Sequence, residues 1–297
     1  MPDCNGSPAR DMWQRTIPQV AFESEVVLNP MLALSALHLH AHSPNNSTMA
    51  VALRRYLDQS LVHHRQALRS PGKELSEQLW LSAVILSNIY WLLARQLQPD
   101  EVYEVPLGMW KLMQGVSMLF IQEKSYLGRL GYGWFGDEPK PRVLTVDELP
   151  SAARAQLQSV EEDLAYLLDA FDVPTLPEDD RSTYMEAKDY VLYHYRVFYS
   201  GAAARTLRRY IGTMAVRCRP AYRSKLERHD ALAMALMARV LVLLNGLEHA
   251  WWMNGEGDYK VLERDIPGMR ELMPEYLRWT MDWPCKVLNR VILLNRS

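Results

Sequence analysis

Cysteine is scarce in this 297-residue chain, with three residues at Cys4, Cys218 and Cys285. An odd number so widely separated makes no disulfide framework and no paired-cysteine metal knuckle, and fits a reducing compartment. An excess of charge is also missing. The 33 Lys and Arg stand against 35 Asp and Glu, a formal charge of −2, so no overall positive field exists to hold a phosphate backbone. Direct nucleic-acid binding is therefore not expected. Long apolar runs are absent too: the most apolar stretch, "LWLSAVILSNIYWLLA" from Leu79 to Ala94, is shorter than the ~20 residues of a spanning helix and carries Ser82, Ser87 and Asn88. It reads as a buried central helix, and no membrane is expected as a partner. The opening "MPDCNGSPARDMWQRT" lacks the apolar core of a secretory signal. The glycosylation-like triplets at Asn5, Asn45 and Asn46 are read as turn and cap chemistry.

What is present is helical periodicity. Apolar residues make up 48% and charged residues 23%, the balance of a chain that buries a large core. After a Ser47-Thr48 cap, Leu53, Leu57, Leu61 and Leu68 mark one stripe; a nearly all-round apolar helix covers about 75–97, and "PLGMWKLMQGVSMLFIQ" from Pro106 to Gln122 a third. The glycine-rich "LGRLGYGWFGDEPKP" that follows reads as a loop, without the βαβ context of a dinucleotide site. Beyond Pro150, a helix capped by Ser151 is expected with the stripe Leu157, Val160, Leu164, Leu167, Leu168 and Phe171, then helices over about 180–217 with a kink at Gly201 and over about 225–245. The expected fold is all-α, one large multi-helix domain over 13–297 behind a flexible segment 1–12, with an apolar pocket between helices.

Sites of chemistry are few. "NPMLALSALHLHAHSP" reads as a helix with Pro30 at an early position and Pro44 closing it. His38 and His42 share one face, and His40 points about 200° away. Two histidines without a third ligand or an HExxH glutamate make no recognisable zinc site, so no metal is expected. "NGLEHAWWMNGEGDYKVLERD" gathers Glu248, His249 and Asp258 near two tryptophans, a candidate acid/base set for a cofactor-independent cyclase or isomerase. The plainer reading is a helix end, with Asn245-Gly246 as the break. Asp179 and Asp180 lack a third carboxylate on their helical face, because the position three beyond Asp180 is Thr183, so a magnesium-diphosphate site is not expected. There is no GxSxG elbow, P-loop or catalytic cysteine context, and no cofactor is expected.

Several phrases together carry a resemblance. "VAFESEVVLNPMLALSALHLHAHSP" resembles the N-terminal signature of the fungal-specific transcription factor effector domain. "YLDQSLVHHRQAL", "PLGMWKLMQGVSMLF" and "EYLRWTMDWPCKVL", with Trp279, Trp283 and Pro284, resemble its later helices in the family's order. The similarity is closest to sterol uptake control regulators and spans roughly residues 13 to 290. One departure matters: complete members carry a six-cysteine binuclear zinc cluster, and Cys4 is the one cysteine before residue 200. The resemblance therefore implies a regulator's ligand-sensing part, or a descendant that does not contact DNA by itself, in the cytoplasm, the nucleus or both.

A sterol- or terpenoid-like ligand is the expected small-molecule partner, held between helices by tryptophan and methionine side chains that suit a bulky apolar body. The chain has 9 Trp and 15 Met. Trp80, Trp91, Trp110, Met113, Met234, Met237, Trp251 and Trp252 are the candidate ligand-binding residues, although each taken singly reads as core. Self-association, or pairing with another regulator, is the remaining partner class, and an enzyme recruited to this fold is the alternative function.

Overall fold

The apolar residues recur at helical spacing, and helix is what they form. The computed structural model describes residues 12–69, 72, 75–96, 102–132 and 140–295, the side chains at 215 and 216 excepted. Among the described residues every regular element is helical and there is no strand, as the periodicity led us to expect. In chain order the α-helices are α1 (Ile17–Glu23), α2 (Glu25–His42), α3 (Ser47–Arg69), α4 (Ser76–Leu93), α5 (Leu107–Gln122), α6 (Lys124–Leu127) and α7 (Ser151–Ala170). They continue with α8 (Glu178–Tyr199), α9 (Ala204–Arg217), α10 (Pro220–Glu227), α11 (Ala231–Leu241), α12 (Trp251–Asn254), α13 (Val261–Leu272) and α14 (Asp282–Leu288). Among the described residues no single helix is long and apolar enough to cross a membrane. The chain divides into two compact units, one drawn from 1–96, 108–139 and 250–260, the other from 97–107, 140–249 and 261–297. Of the stretch expected to be flexible, 1–11 lies outside the described residues, while Met12 is buried in a short turn of helix.

In the first unit, α2 is the central element, packed against α3 and α4. It begins at Glu25, upstream of the expected start, so Pro30 lies inside the helix and is buried there. The missing N–H of Pro30 removes one internal bond. Asn46, not Ser47-Thr48, caps α3: its Oδ1 accepts from the N–H of Thr48 at 3.1 Å and of Met49 at 3.4 Å. The buried line of α3 is Leu53, Ser60 and Ala67, whereas Leu61 and Leu68 of the expected stripe are exposed. Spacing by sevens keeps that narrow line on one side. α4 buries most of its circumference, as its composition required, with Trp80, Ile85, Ile89 and Trp91 all in the core. The expected glycine loop is helical at its start, in α6 and the turn Gly128–Tyr132, before Gly131 adopts φ 91°. Residues 133–139 of that phrase lie outside the described residues.

The second unit surrounds α11, every residue of which is buried. The helix expected over 225–245 is broken at His229, whose φ is 54°, and Asp230 starts α11 anew by accepting from the N–H of Ala233 at 2.8 Å. Gly201, with φ 73°, separates α8 from α9 where the kink was expected. At the centre lies a cation. Arg239 is 2% exposed and grips Asp163 of α7 through both carboxylate oxygens, Nε to Oδ2 at 2.6 Å and Nη2 to Oδ1 at 3.1 Å. Its Nη1 donates to the carbonyls of Ala235 at 2.9 Å and Thr280 at 3.1 Å, and the guanidinium lies over Trp283 at 5.9 Å.

Removing one partner of a buried pair strands the other charge. Asp163→Ala is expected to cost about 3–5 kcal/mol in urea unfolding. Arg239→Met should cost less, because Asp163 keeps partial access to water while the new side chain refills the apolar volume.

His194 is a second buried polar group of this unit. It is wholly inaccessible, its Nδ1 lies 2.5 Å from the Tyr190 carbonyl, and desolvation pulls its pKa down to about 4 from 6.5. The unfolded imidazole takes up a proton near pH 6.5 and the folded one only near 4, so acid favours the unfolded chain between those values. Stability present above pH 6.5 is expected to fall by about 3 kcal/mol as pH drops through 4. Urea titrations at several pH values check this, and His194→Phe should flatten that part of the profile.

Candidate functional site

The last turn of α2 carries His38, His40 and His42, and ends where Ser43 leaves helical geometry and donates its N–H to the carbonyls of Leu39 and His40. Pro44 follows and forbids continuation. The segment Ala250–Lys260 packs along this turn. Its single helical turn, α12, is closed by Asn254, whose Oδ1 accepts from the N–H of Ala250 at 3.0 Å. Gly255 then adopts φ 73° and Gly257 φ 55°. A Cβ at Gly257 would stand 2.7 Å from the Ala41 carbonyl oxygen, so the missing side chain is what allows the segment to lie on the helix end.

All three histidines meet this segment. The ring of His38 lies against Trp251, centroids 4.1 Å apart and planes tilted 30°. His40 Nδ1 is 2.9 Å from the hydroxyl of the buried Tyr259, and His42 Nε2 is 2.9 Å from Glu256 Oε2. His40 does point away from the other two, as the helical angle required, and the segment reaches it with a different residue. Trp91 of α4 ties the segment from another side, donating its indole N–H to the Met253 carbonyl at 2.9 Å. Burial and the neighbouring His42 hold the His38 imidazole below its ordinary pKa. Single coordinating atoms of His38, His42 and Glu256 all fall within 4.8 Å of one another. Two imidazoles and a carboxylate are a donor set that a divalent transition metal accepts.

The residues singled out from the sequence fall in two groups. Trp80, Trp91 and Trp110 are buried and Met113, Trp251 and Trp252 half-buried, all in the first unit. Trp80 packs with Phe120 and Tyr132 at centroid distances of 5.7 and 5.1 Å. The buried indole Nε1 of Trp252 has no hydrogen-bond partner. Met234 and Met237 lie in α11 of the second unit, 0% and 2% exposed. Glu248, His249 and Asp258 are all exposed, the first two in the second unit and Asp258 in the first. What Glu248 gives the structure is its carbonyl, which accepts from buried Arg208. Helix does end before these residues, in a 3₁₀ turn closing at Gly246. Asp180 is spoken for by Lys225 at 2.7 Å, and burial pushes the Cys218 thiol up to about 12, far from a thiolate nucleophile. The residue that sequence reading missed is Glu256. Its one local sign was the pair of glycines flanking it.

The left-handed backbone at Gly255 is the hinge of this arrangement, and a Cβ there would overlap the Tyr259 carbonyl. Gly255→Ala is expected to raise amide exchange more than tenfold across 250–260 and the last turn of α2, with little change in α11, as hydrogen-exchange mass spectrometry would read it.

The comparisons with known proteins bear on the same elements. Residues 3–94 match the family model described as fungal specific transcription factor domain, a span that includes α1 to α4. A Zn(2)-C6 fungal-type transcription factor of Gibberella zeae is 24% identical over 304 residues, an alignment covering 95% of this chain and 58% of that protein. The chain thus spans little more than half the length of that relative. No solved structure matches it. Over residues 3–94, then, this chain is similar to the fungal specific transcription factor domain, the family its "LALSALHLHAH" phrase resembles.

Proposed function

We propose that the chain is a regulatory, ligand-sensing module of a fungal transcriptional regulator, acting in the nucleus and without DNA contacts of its own. The match over 3–94 carries the regulatory reading, because it spans α2, the central helix of the first unit, together with α3 and α4 that pack on it. The near-zero charge supports the absence of DNA contacts. An apolar ligand of sterol or terpenoid type is favoured by the aromatic content of that unit. Trp251 and Trp252 stay half-buried there, and the unpartnered indole N–H of Trp252 is a ready donor for the single hydroxyl of a sterol. Binding would act by favouring one packing of the helices over another, so the response is set by differential affinity for the two.

A fluorescent sterol, dehydroergosterol, tests the reading. The parent protein is expected to bind it and to melt at higher temperature in its presence. Trp252→Ala should weaken binding by more than ~1 kcal/mol while remaining folded. Met237→Ala, in the closed core of α11, should instead cost ~2–5 kcal/mol of stability. A parent that shows neither binding nor a thermal shift at saturating sterol rejects the sterol assignment. A reporter driven by the chain fused to an unrelated DNA-binding module tests the regulatory part separately.

A further inference from the structure

We propose that His38, His42 and Glu256 form a binding site for a divalent transition metal, zinc foremost. The proposal stands apart from the regulatory reading and from any apolar ligand. The two histidines sit at i and i+4 on the last turn of α2, which puts both rings on one face. Glu256 is brought to that face by a segment whose path is dictated by two left-handed glycines, Gly255 and Gly257, on either side of it. The three coordinating atoms lie within 4.8 Å of one another. Around tetrahedral zinc, with bonds of about 2.0–2.1 Å, neighbouring ligand atoms stand about 3.3 Å apart. Small side-chain torsions close that gap, and His42 Nε2 and Glu256 Oε2 are already at 2.9 Å.

Two further observations point to a missing third body. The buried Nδ1 of His38 has no hydrogen-bond partner. Glu256 Oε2 is also buried and makes no hydrogen bond, its near neighbour being His42 Nε2 at 2.9 Å. A cation between them would satisfy such lone pairs together. Two imidazoles with one carboxylate favour zinc over calcium or magnesium, which take six or more oxygen ligands or keep several waters. Three protein ligands leave a fourth position open to water or to another donor. Trp251, lying on the His38 ring, walls one side of the site.

The test uses the full chain, stripped of metal by a chelator and titrated with Zn²⁺ against a chromogenic competitor, and with Co²⁺ for its visible absorption. One ion per chain is expected, with the intense absorption of tetrahedral cobalt. Glu256→Gln and His42→Gln should each weaken Zn²⁺ binding more than tenfold and abolish that absorption. His229→Asn, an exposed histidine of the second unit, should leave both unchanged. No stoichiometric Zn²⁺ binding by the parent overturns the proposal, and so does unchanged affinity in either site variant. Because the parent measurement needs no substitution, misfolding of a variant cannot shield the proposal.

Discussion

The buried guanidinium of Arg239 is the constraint on which the second unit turns. A cation held at 2% exposure is tolerable only if every N–H direction finds an acceptor. Here the acceptors come from α7, from α11 itself and from the 3₁₀ turn before α14, so three separate stretches must arrive in register before the charge is satisfied. Apolar packing around α11 would accept many rotations of that helix. The planar fork of an arginine on a carboxylate accepts few, and so selects one.

In the first unit a comparable role falls to the end of α2, by different means. An edge of three histidines receives a segment from far along the chain, through one stacked ring, one hydroxyl and one carboxylate. Glycine makes the approach possible: at Gly257 any side chain would strike the backbone of α2.

Much of the helical architecture was legible in the sequence, because amphipathic and all-apolar periods survive in any fold. Of the stripe Leu157, Val160, Leu164, Leu167, Leu168 and Phe171, all but Phe171, which lies just past the helix end, are buried, and the break at Gly201 is where glycine placed it. Misreadings arose where a local signal competed with tertiary packing. Pro30 looked like a helix start, yet packing of the preceding "EVVLN" extended the helix through it. Alanine and leucine across 225–245 suggested one helix, and the left-handed turn at His229 divided it. The site was half legible. The His38 and His42 pair follows from a spacing of four, but its carboxylate partner follows only from the fold, since nothing local to Glu256 names α2 as its neighbour.

The placement of Ala250–Lys260 has a consequence for how the protein is made. This segment belongs to the first unit, while the stretches immediately before and after it belong to the second. The N-terminal helices can emerge and associate early in synthesis, but the indole N–H of Trp91 and the ring of His40 lack their partners on 250–260 until the ribosome has passed residue 260. Until then the last turn of α2 lacks the segment that packs on its histidines. Chaperone demand, and the solubility of any fragment cut after the matched region, follow from that order of arrival.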